Sequence, residues 1–115
     1  MSFTEAVSSA LSKYVVFSGR ARRSEYWWFV LFNIIVSIVA AGVDAALGIQ
    51  AVGALVSLAL LLPGIAVGVR RLHDIDKSGW WLLIALVPLI GFIVLIYFFV
   101  QPSQPGDNRF GPPPA

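Results

Sequence analysis

The sequence contains no cysteine, which excludes disulfides, thiolate metal sites and cysteine catalysis. Charged residues are also scarce, because they make up 12% of the 115 residues, against roughly 25% in soluble domains. Hydrophobic residues account for 58% of the chain. A soluble protein of this length could not bury so much apolar surface, since its surface-to-volume ratio is too high. The composition therefore predicts a single membrane domain over residues 1–115.

The chain has only one histidine, His73, which stands in a short charged segment with Asp74 and Asp76. One histidine and two carboxylates form a poor metal site, because zinc requires more nitrogen or sulfur ligands. Glycine-rich phosphate loops and paired buried carboxylates are also lacking. Proton sensing fits the titration range of histidine, although nothing in the sequence requires it. We therefore expect no metal, no cofactor and no catalytic residue, and treat these three residues and Glu25 as a possible functional motif.

The first segment predicts an amphipathic helix over residues 3–17. Its apolar residues recur at helical spacing and share one face: Phe3, Val7, Leu11 and Tyr14. Ser2 and Glu5 have the spacing of a capping box at its start. Such a helix either lies in the membrane interface or packs on a partner protein. Downstream, Ser24 is placed to cap a second helix.

Three apolar stretches follow and predict transmembrane helices over 27–47, 51–69 and 80–100. At 1.5 Å per residue the first stretch spans about 30 Å, which is the thickness of the hydrocarbon core. A charged hinge over 70–79 separates the second and third stretches, and a tail over 101–115 is expected to be irregular. The expected fold is therefore all-α, with three transmembrane helices preceded by an amphipathic interfacial helix.

The third apolar stretch allows two interpretations, because Pro88 and Gly91 interrupt it midway. It forms either one kinked helix that crosses the membrane or a re-entrant hairpin that returns to the same side. Each half alone is too short to span, and a turn in lipid would expose backbone polar groups. These two arguments favour a crossing helix.

Small residues in the second stretch predict close helix packing. Gly64 and Gly68 stand four residues apart, directly after Pro63. Small residues at this spacing let helix backbones approach closely in lipid, where apolar burial no longer drives association. The alternative is that the pair has no specific role, since glycine is common in transmembrane helices.

Basic residues are distributed unevenly and predict the orientation. With three crossings, seven of the eight lie on the side of the amino terminus and the hinge, and only Arg109 lies on the other. The amino terminus and the hinge are therefore expected to face the cytoplasm. The same interface would contain all four tryptophans: Trp27, Trp28, Trp80 and Trp81.

The basic residues of this side predict a rim at the cytoplasmic surface. Its members are Arg20, Arg22, Arg23, Arg70, Arg71 and Lys77, with Glu25, Asp74 and Asp76 interleaved. The rim could bind anionic lipid headgroups, or its arginines could bind an acidic or phosphorylated ligand. The simplest interpretation is that these residues set the orientation and pair with the neighbouring carboxylates.

Three ordered motifs make the chain resemble the domain-of-unknown-function 805 family, which includes the YhaH-like inner-membrane proteins of bacteria. The motifs are Phe17-x-Gly19-Arg20-x-x-Arg23-x-Glu25-Tyr26-Trp27, then Arg70-Arg71-Leu72-His73-Asp74 with Ser78-Gly79-Trp80-Trp81, then Pro105-Gly106-x-Asn108-Arg109-Phe110-Gly111. The resemblance covers nearly the whole chain. It implies a small multi-span protein of the bacterial inner membrane, and it implies no activity and no catalytic residues.

The sequence favours a non-enzymatic protein that acts in assembly, regulation or anchoring through its basic rim. Expected partners are a lipid bilayer with anionic headgroups and either further copies of the chain or another membrane protein, with no nucleic acid. An oligomeric channel or small transporter is the alternative, although the stretches lack a central Glu, Lys or Arg. A more distant alternative is an enzyme that acts on lipid headgroups.

Overall fold

The computed structural model describes residues 2–113, and within that range the chain is helical. Four α-helices and one 3-10 helix follow each other: α1 (Phe3–Ser12), α2 (Arg23–Leu47), α3 (Ala51–Asp74), η1 (Gly79–Leu86, 3-10) and α4 (Ile90–Phe99). The only β pairing in the described residues is an isolated bridge between Asn108 and Gly111. The predicted all-α class is confirmed. Two helices, α2 and α3, are long and apolar enough to cross a membrane.

Helix α1 begins at the predicted capping box and packs on its own chain. The Ser2 hydroxyl accepts a hydrogen bond from the Glu5 amide, and the Glu5 carboxylate accepts one from the Ser2 amide. The buried residues Ala6 and Ala10 face α2 and α3. The helix ends at Ser12 rather than at residue 17. The Val16 carbonyl instead accepts a hydrogen bond from Arg70, which holds the following segment in an irregular conformation.

Helices α2 and α3 form an antiparallel hairpin that closes at Gly48, which ends α2 with φ 68°. Asp44 of α2 caps α3, because its carboxylate accepts hydrogen bonds from the amides of Val52 and Gly53 at 2.9 and 2.8 Å. A carboxylate at a helix amino terminus is stabilised by the orphan amides and by the helix dipole. At the other end, α2 begins at Arg23 with no side-chain cap, so the predicted capping role of Ser24 is wrong.

The predicted packing glycines of α3 both lie at helix contacts within the chain. Gly64 faces α2, where an added methyl group would lie 3.9 Å from the Phe29 ring. Gly68 faces η1, where the methyl group would lie 3.6 Å from Leu82. Helix α3 continues through Pro63 without a break. These small residues therefore bring α2 and η1 close to α3, whereas packing against another copy stays a prediction.

The stretch 80–100 differs from the single helix predicted for it. It comprises η1 and α4, and the chain reverses between them. Trp81 near the start of η1 and Phe98 near the end of α4 make an edge-to-face contact, with ring centroids 5.4 Å apart. Gly91 lies directly against the Ile84 carbonyl group. Because both ends of the stretch lie together, η1 and α4 form a helical hairpin.

The reversal is a tight turn around Pro88 and Leu89. Leu89 adopts φ 65° and ψ −59°, and the Ile90 amide donates to the Pro88 carbonyl at 2.7 Å, which defines a γ-turn. The amides of Val87 and Gly91 donate within the hairpin as well, and proline has no amide hydrogen. The turn therefore satisfies three of the backbone amides whose exposure argued against a re-entrant hairpin: those of Val87, Ile90 and Gly91. Helix α4, with ten residues, is about 15 Å long, or half the hydrocarbon core.

We predict that Gly91→Ala opens this hairpin. The added methyl group would overlap the Ile84 carbonyl oxygen, so η1 and α4 would have to separate. We expect the free energy of unfolding in detergent micelles to fall by about 1–3 kcal/mol, as for other overpacked sites. Gly42→Ala is the matched control, because no atom lies within 4 Å of its added methyl group. Equal stability of the two variants would contradict the hairpin.

Candidate functional site

The three sequence motifs meet at one end of the helix bundle. The Ala21 amide donates to the Arg70 carbonyl at 2.9 Å, which joins the first motif to the second. The Gln104 amide donates to the Asp74 carbonyl at 3.0 Å, which joins the tail to the second motif. We call the buried polar residues of this junction the charged cap: Arg20, Glu25, Arg70, Arg71, His73 and Asp74.

Asp74 lies at the centre of the charged cap and is fully buried. One carboxylate oxygen accepts a hydrogen bond from Arg20 Nε at 3.0 Å, and the other accepts one from Arg71 Nη1 at 3.0 Å. The hydroxyl of Ser103 also donates to the second oxygen. The Asp74 carboxylate is therefore bound by Arg20 of the first motif, Arg71 of the second motif and Ser103 of the tail.

The two arginines beside Asp74 also bind backbone carbonyls of the returning chain. Arg20 Nη1 donates to the Gly106 carbonyl at 2.8 Å. Arg71 donates to the carbonyl of Phe99, at the end of α4, from both Nε and Nη2 at 3.2 and 3.1 Å. Trp27 Nε1 donates to the same carbonyl at 2.9 Å. A cation is favoured at a helix carboxyl terminus, so Arg71 both caps α4 and fixes its position.

A second buried ion pair joins Arg70 and Glu25. Arg70 Nη1 lies 2.8 Å from the Glu25 carboxylate, which also accepts a hydrogen bond from the Ser9 hydroxyl of α1 at 3.2 Å. Arg70 Nε donates to the Val16 carbonyl at 3.1 Å. Among the described residues, Arg70 Nη2 is the buried side-chain nitrogen without a hydrogen-bond partner. The three buried arginines face two buried carboxylates, so the charged cap carries an excess of one positive charge.

His73 holds the first and third motifs together. Its Nδ1 lies 2.9 Å from the Gly19 carbonyl oxygen, and a carbonyl only accepts, so Nδ1 carries a proton. The ring stacks on Phe110 with centroids 3.9 Å apart and an interplanar angle of 3°. The His73 carbonyl accepts a hydrogen bond from Asn108 Nδ2 at 2.9 Å. The side chain thus connects two loops.

The structure separates the six basic residues predicted for the rim. Arg20, Arg70 and Arg71 are buried in the charged cap, where they bind carboxylates. The other three remain accessible at its edge: Arg22 is half-buried, Arg23 is exposed and donates to the Val100 carbonyl, and Lys77 lies over the Phe98 ring. The pairing with carboxylates that the sequence favoured is present. Ligand binding by these residues stays a prediction.

Several residues of this region were not identified as site residues from the sequence. Arg109 was expected across the membrane, yet it lies 3.2 Å from Asp76 at the hinge. Asn108 and Phe110, its neighbours, both contact His73. The third motif contained a signal, because Asn108, Arg109 and Phe110 form a polar and aromatic cluster in an otherwise featureless tail. These residues follow the stretch that the sequence predicted as a third transmembrane helix. They were therefore expected on the opposite side of the membrane and were not assigned to the site.

We predict that Asp74→Asn destabilises the protein strongly. The substitution keeps the shape of the side chain but leaves Arg20 and Arg71 buried without a counter-charge. Removing one partner of a buried ion pair costs about 3–5 kcal/mol, so we expect a loss of that size in the free energy of unfolding. Denaturant titration of the purified protein in detergent micelles measures it.

Asp76→Asn is the matched control for this variant. Asp76 pairs with Arg109 at the surface, with exposed fractions of 40% and 62% for the two side chains. An exposed ion pair contributes at most about 1 kcal/mol. Asparagine also tolerates the positive φ of 60° at this position. A loss at Asp74 no larger than that at Asp76 would show that the charged cap is not a desolvated network.

Comparisons with known proteins agree with the membrane assignment. The chain is 47% identical over 110 residues to "Inner membrane protein YhaH" of Escherichia coli (strain K12), covering 90% of this chain and 91% of that protein. It is 46% identical over 108 residues to "Inner membrane protein YhaI" of the same strain, covering 92% of each chain. No solved structure matches the chain. A family model described as "Protein of unknown function (DUF805)" matches residues 14–112, and the chain therefore belongs to that family.

Proposed function

We propose that this inner-membrane protein is a non-enzymatic anchoring or assembly unit that crosses the membrane twice and acts through the basic residues around its charged cap. The buried cap itself carries this proposal. Its arginines and carboxylates are paired with each other and with backbone carbonyls, and they join the three motifs in one surface. A reaction centre would instead require ionisable groups that are open to a substrate.

Two crossings and a re-entrant hairpin account for the charge distribution better than three crossings. The helices that cross are α2 and α3, and the hairpin of η1 and α4 enters from the side of the charged cap and returns. All eight basic residues then lie on one side, since Arg109 binds Asp76, whereas the loop 48–50 on the other side has none. The positive-inside rule therefore places the charged cap, the amino terminus and the tail in the cytoplasm.

The accessible cations at the edge of the cap supply the binding surface. Lys13, Arg22, Arg23 and Lys77 are exposed or half-buried, unlike the arginines of the cap. A basic residue near the membrane surface contributes about 1 kcal/mol of attraction to anionic headgroups. Further copies of the chain or another membrane protein are the second class of partner for this surface.

We predict the orientation from single-cysteine labelling, which the absence of native cysteine makes straightforward. Ser8→Cys, Ile49→Cys and Asp107→Cys each introduce one exposed thiol: in α1, in the loop between α2 and α3, and in the tail. A membrane-impermeant thiol reagent applied to intact cells should label position 49 alone. Positions 8 and 107 should label only after lysis.

Each of the other labelling patterns contradicts a specific part of the topology. Labelling at positions 49 and 107 in intact cells would show that the stretch 80–100 crosses the membrane. Labelling at positions 8 and 107 without position 49 would show the reverse orientation. In either case the basic surface would not lie as a unit in the cytoplasm.

We predict that the edge cations enrich anionic lipid around the protein. A variant with Lys13→Gln, Arg22→Gln and Arg23→Gln should lose about 1 kcal/mol of attraction per residue. The measurement is the ratio of phosphatidylglycerol to phosphatidylcholine that co-purifies from mixed vesicles, which should fall in this variant.

The matched control conserves the charges, with Lys13→Arg, Arg22→Lys and Arg23→Lys, and should keep the wild-type lipid ratio. An unchanged ratio in the glutamine variant would contradict anchoring through these cations. Ion flux through vesicles that contain the purified protein would favour the oligomeric channel instead.

A further inference from the structure

We propose that the groove between α3 and η1 binds one anionic phospholipid, with its phosphate at the edge of the charged cap and one acyl chain along α3. The inference rests on the proposed function for the orientation of the protein in the membrane. It concerns one defined binding site, whereas the basic surface attracts anionic lipids in general.

The groove is an open cavity of about 440 Å³ with apolar walls. Ile65 and Val69 of α3 form one wall, and Leu82 and Leu83 of η1 form the other. Phe17 closes the side towards the first motif. The wall of α3 runs from residue 65 to residue 73, a length of about 12 Å, which is an elongated shape suited to a hydrocarbon chain.

One end of the groove is polar. His73 follows Ile65 and Val69 at helical spacing, so it lies at the end of the same wall, and Ser78 also lines the groove. Because His73 Nδ1 donates to the Gly19 carbonyl, Nε2 of the neutral ring accepts a hydrogen bond, which a headgroup hydroxyl would donate. The Ser78 hydroxyl accepts a hydrogen bond from the Trp80 amide, and its own hydrogen is available to a phosphate oxygen.

The charge around the polar end is complementary to a phosphate. The charged cap has an excess of one positive charge, and Arg70, whose Nη2 has no hydrogen-bond partner, precedes His73 by one helical turn. The nearby carboxylates are already neutralised, since Asp74 pairs with two arginines and Asp76 pairs with Arg109. An anion at this end therefore meets a net positive potential.

The polar and apolar ends of the groove follow the same order as the headgroup and the acyl chains of a lipid in the bilayer. The polar end lies at the cap, where the exposed Trp80, at 76% exposure, borders the groove as tryptophans do at membrane interfaces. The apolar end extends along α3 towards the hairpin turn, into the hydrocarbon. A second copy of the chain would have to place a negative group and an apolar segment in this same order.

The test is native mass spectrometry of the delipidated protein, titrated with dioleoyl phosphatidylglycerol or with dioleoyl phosphatidylcholine. We expect one phosphatidylglycerol per chain, bound about tenfold more tightly than phosphatidylcholine, because the excess positive charge of the cap favours the lipid that carries a net negative charge. Leu83→Trp fills the groove and should weaken phosphatidylglycerol binding by about tenfold or more. Leu58→Trp, on an exposed position of α3 outside the groove, is the matched control and should bind as the wild type does.

Ser78→Ala provides a second variant that leaves the groove open. It should lower the affinity for both lipids by a similar factor, because both carry the phosphate that the Ser78 hydroxyl would bind, while the preference for phosphatidylglycerol should remain. Equal affinities for the two lipids, or wild-type binding by Leu83→Trp, would overturn the proposal. Protection against thermal unfolding by inorganic phosphate alone would assign the site to a free anion, and dissociation of a dimer by Leu83→Trp would assign it to a second copy.

The experiments distinguish a failure of the lipid site in the groove from a failure of the proposed anchoring function. The glutamine variant of Lys13, Arg22 and Arg23 changes cations that do not line the groove, so it should retain the single bound lipid while it loses the general enrichment. Loss of the single lipid in Leu83→Trp with unchanged enrichment supports the groove. Retention of that lipid in Leu83→Trp contradicts the groove and leaves anchoring through the exposed cations unaffected.

Discussion

The carboxylate of Asp74, held between two arginines, is the interaction on which the rest of the structure depends. It joins Arg20 of the first motif to Arg71 of the second, and the Ser103 hydroxyl of the tail binds the same group. Buried charges are expensive to desolvate, so the arrangement is stable only while all partners are present. The guanidinium groups therefore bind backbone carbonyls with their remaining donors, as Arg71 does at Phe99. In a buried network of this kind, the loss of one member leaves its partners unpaired and is therefore costly.

The hairpin of η1 and α4 follows from the same network. Ten residues of helix cannot cross a bilayer, and a short helix gains little stability from its own hydrogen bonds. Helix α4 is instead fixed at its end, where Arg71 and Trp27 bind the Phe99 carbonyl, and along its side, where Leu95 and Phe99 pack on Leu72. The charged cap thus determines where the apolar hairpin ends, and with it the position of the tail.

The sequence was sufficient for the elements that local chemistry determines. Hydropathy located α2 and α3, and the spacing of Ser2 and Glu5 located the start of α1. The reversal of the chain at Pro88 could not be predicted in this way, because proline and glycine within an apolar stretch are compatible with both a kinked helix and a turn. Contacts between distant residues decide between them, as Trp81 does with Phe98 and Arg71 with Phe99. Likewise, counting charges identified the arginines of the cap but could not show that they are buried.

His73 connects the structural and the functional arguments. Its Nδ1 belongs to the charged cap, where it fixes the Gly19 loop, whereas His73 also lines the groove between α3 and η1. The hydrogen bond to Gly19 sets the tautomer, and in the neutral ring this tautomer makes Nε2 an acceptor. The parallel stack on Phe110 fixes the plane of the ring, and the third motif thereby contributes to the groove without lining it. All three motifs therefore fix the position of one imidazole ring: Gly19 of the first accepts its hydrogen bond, the second contains it, and Phe110 of the third stacks on it.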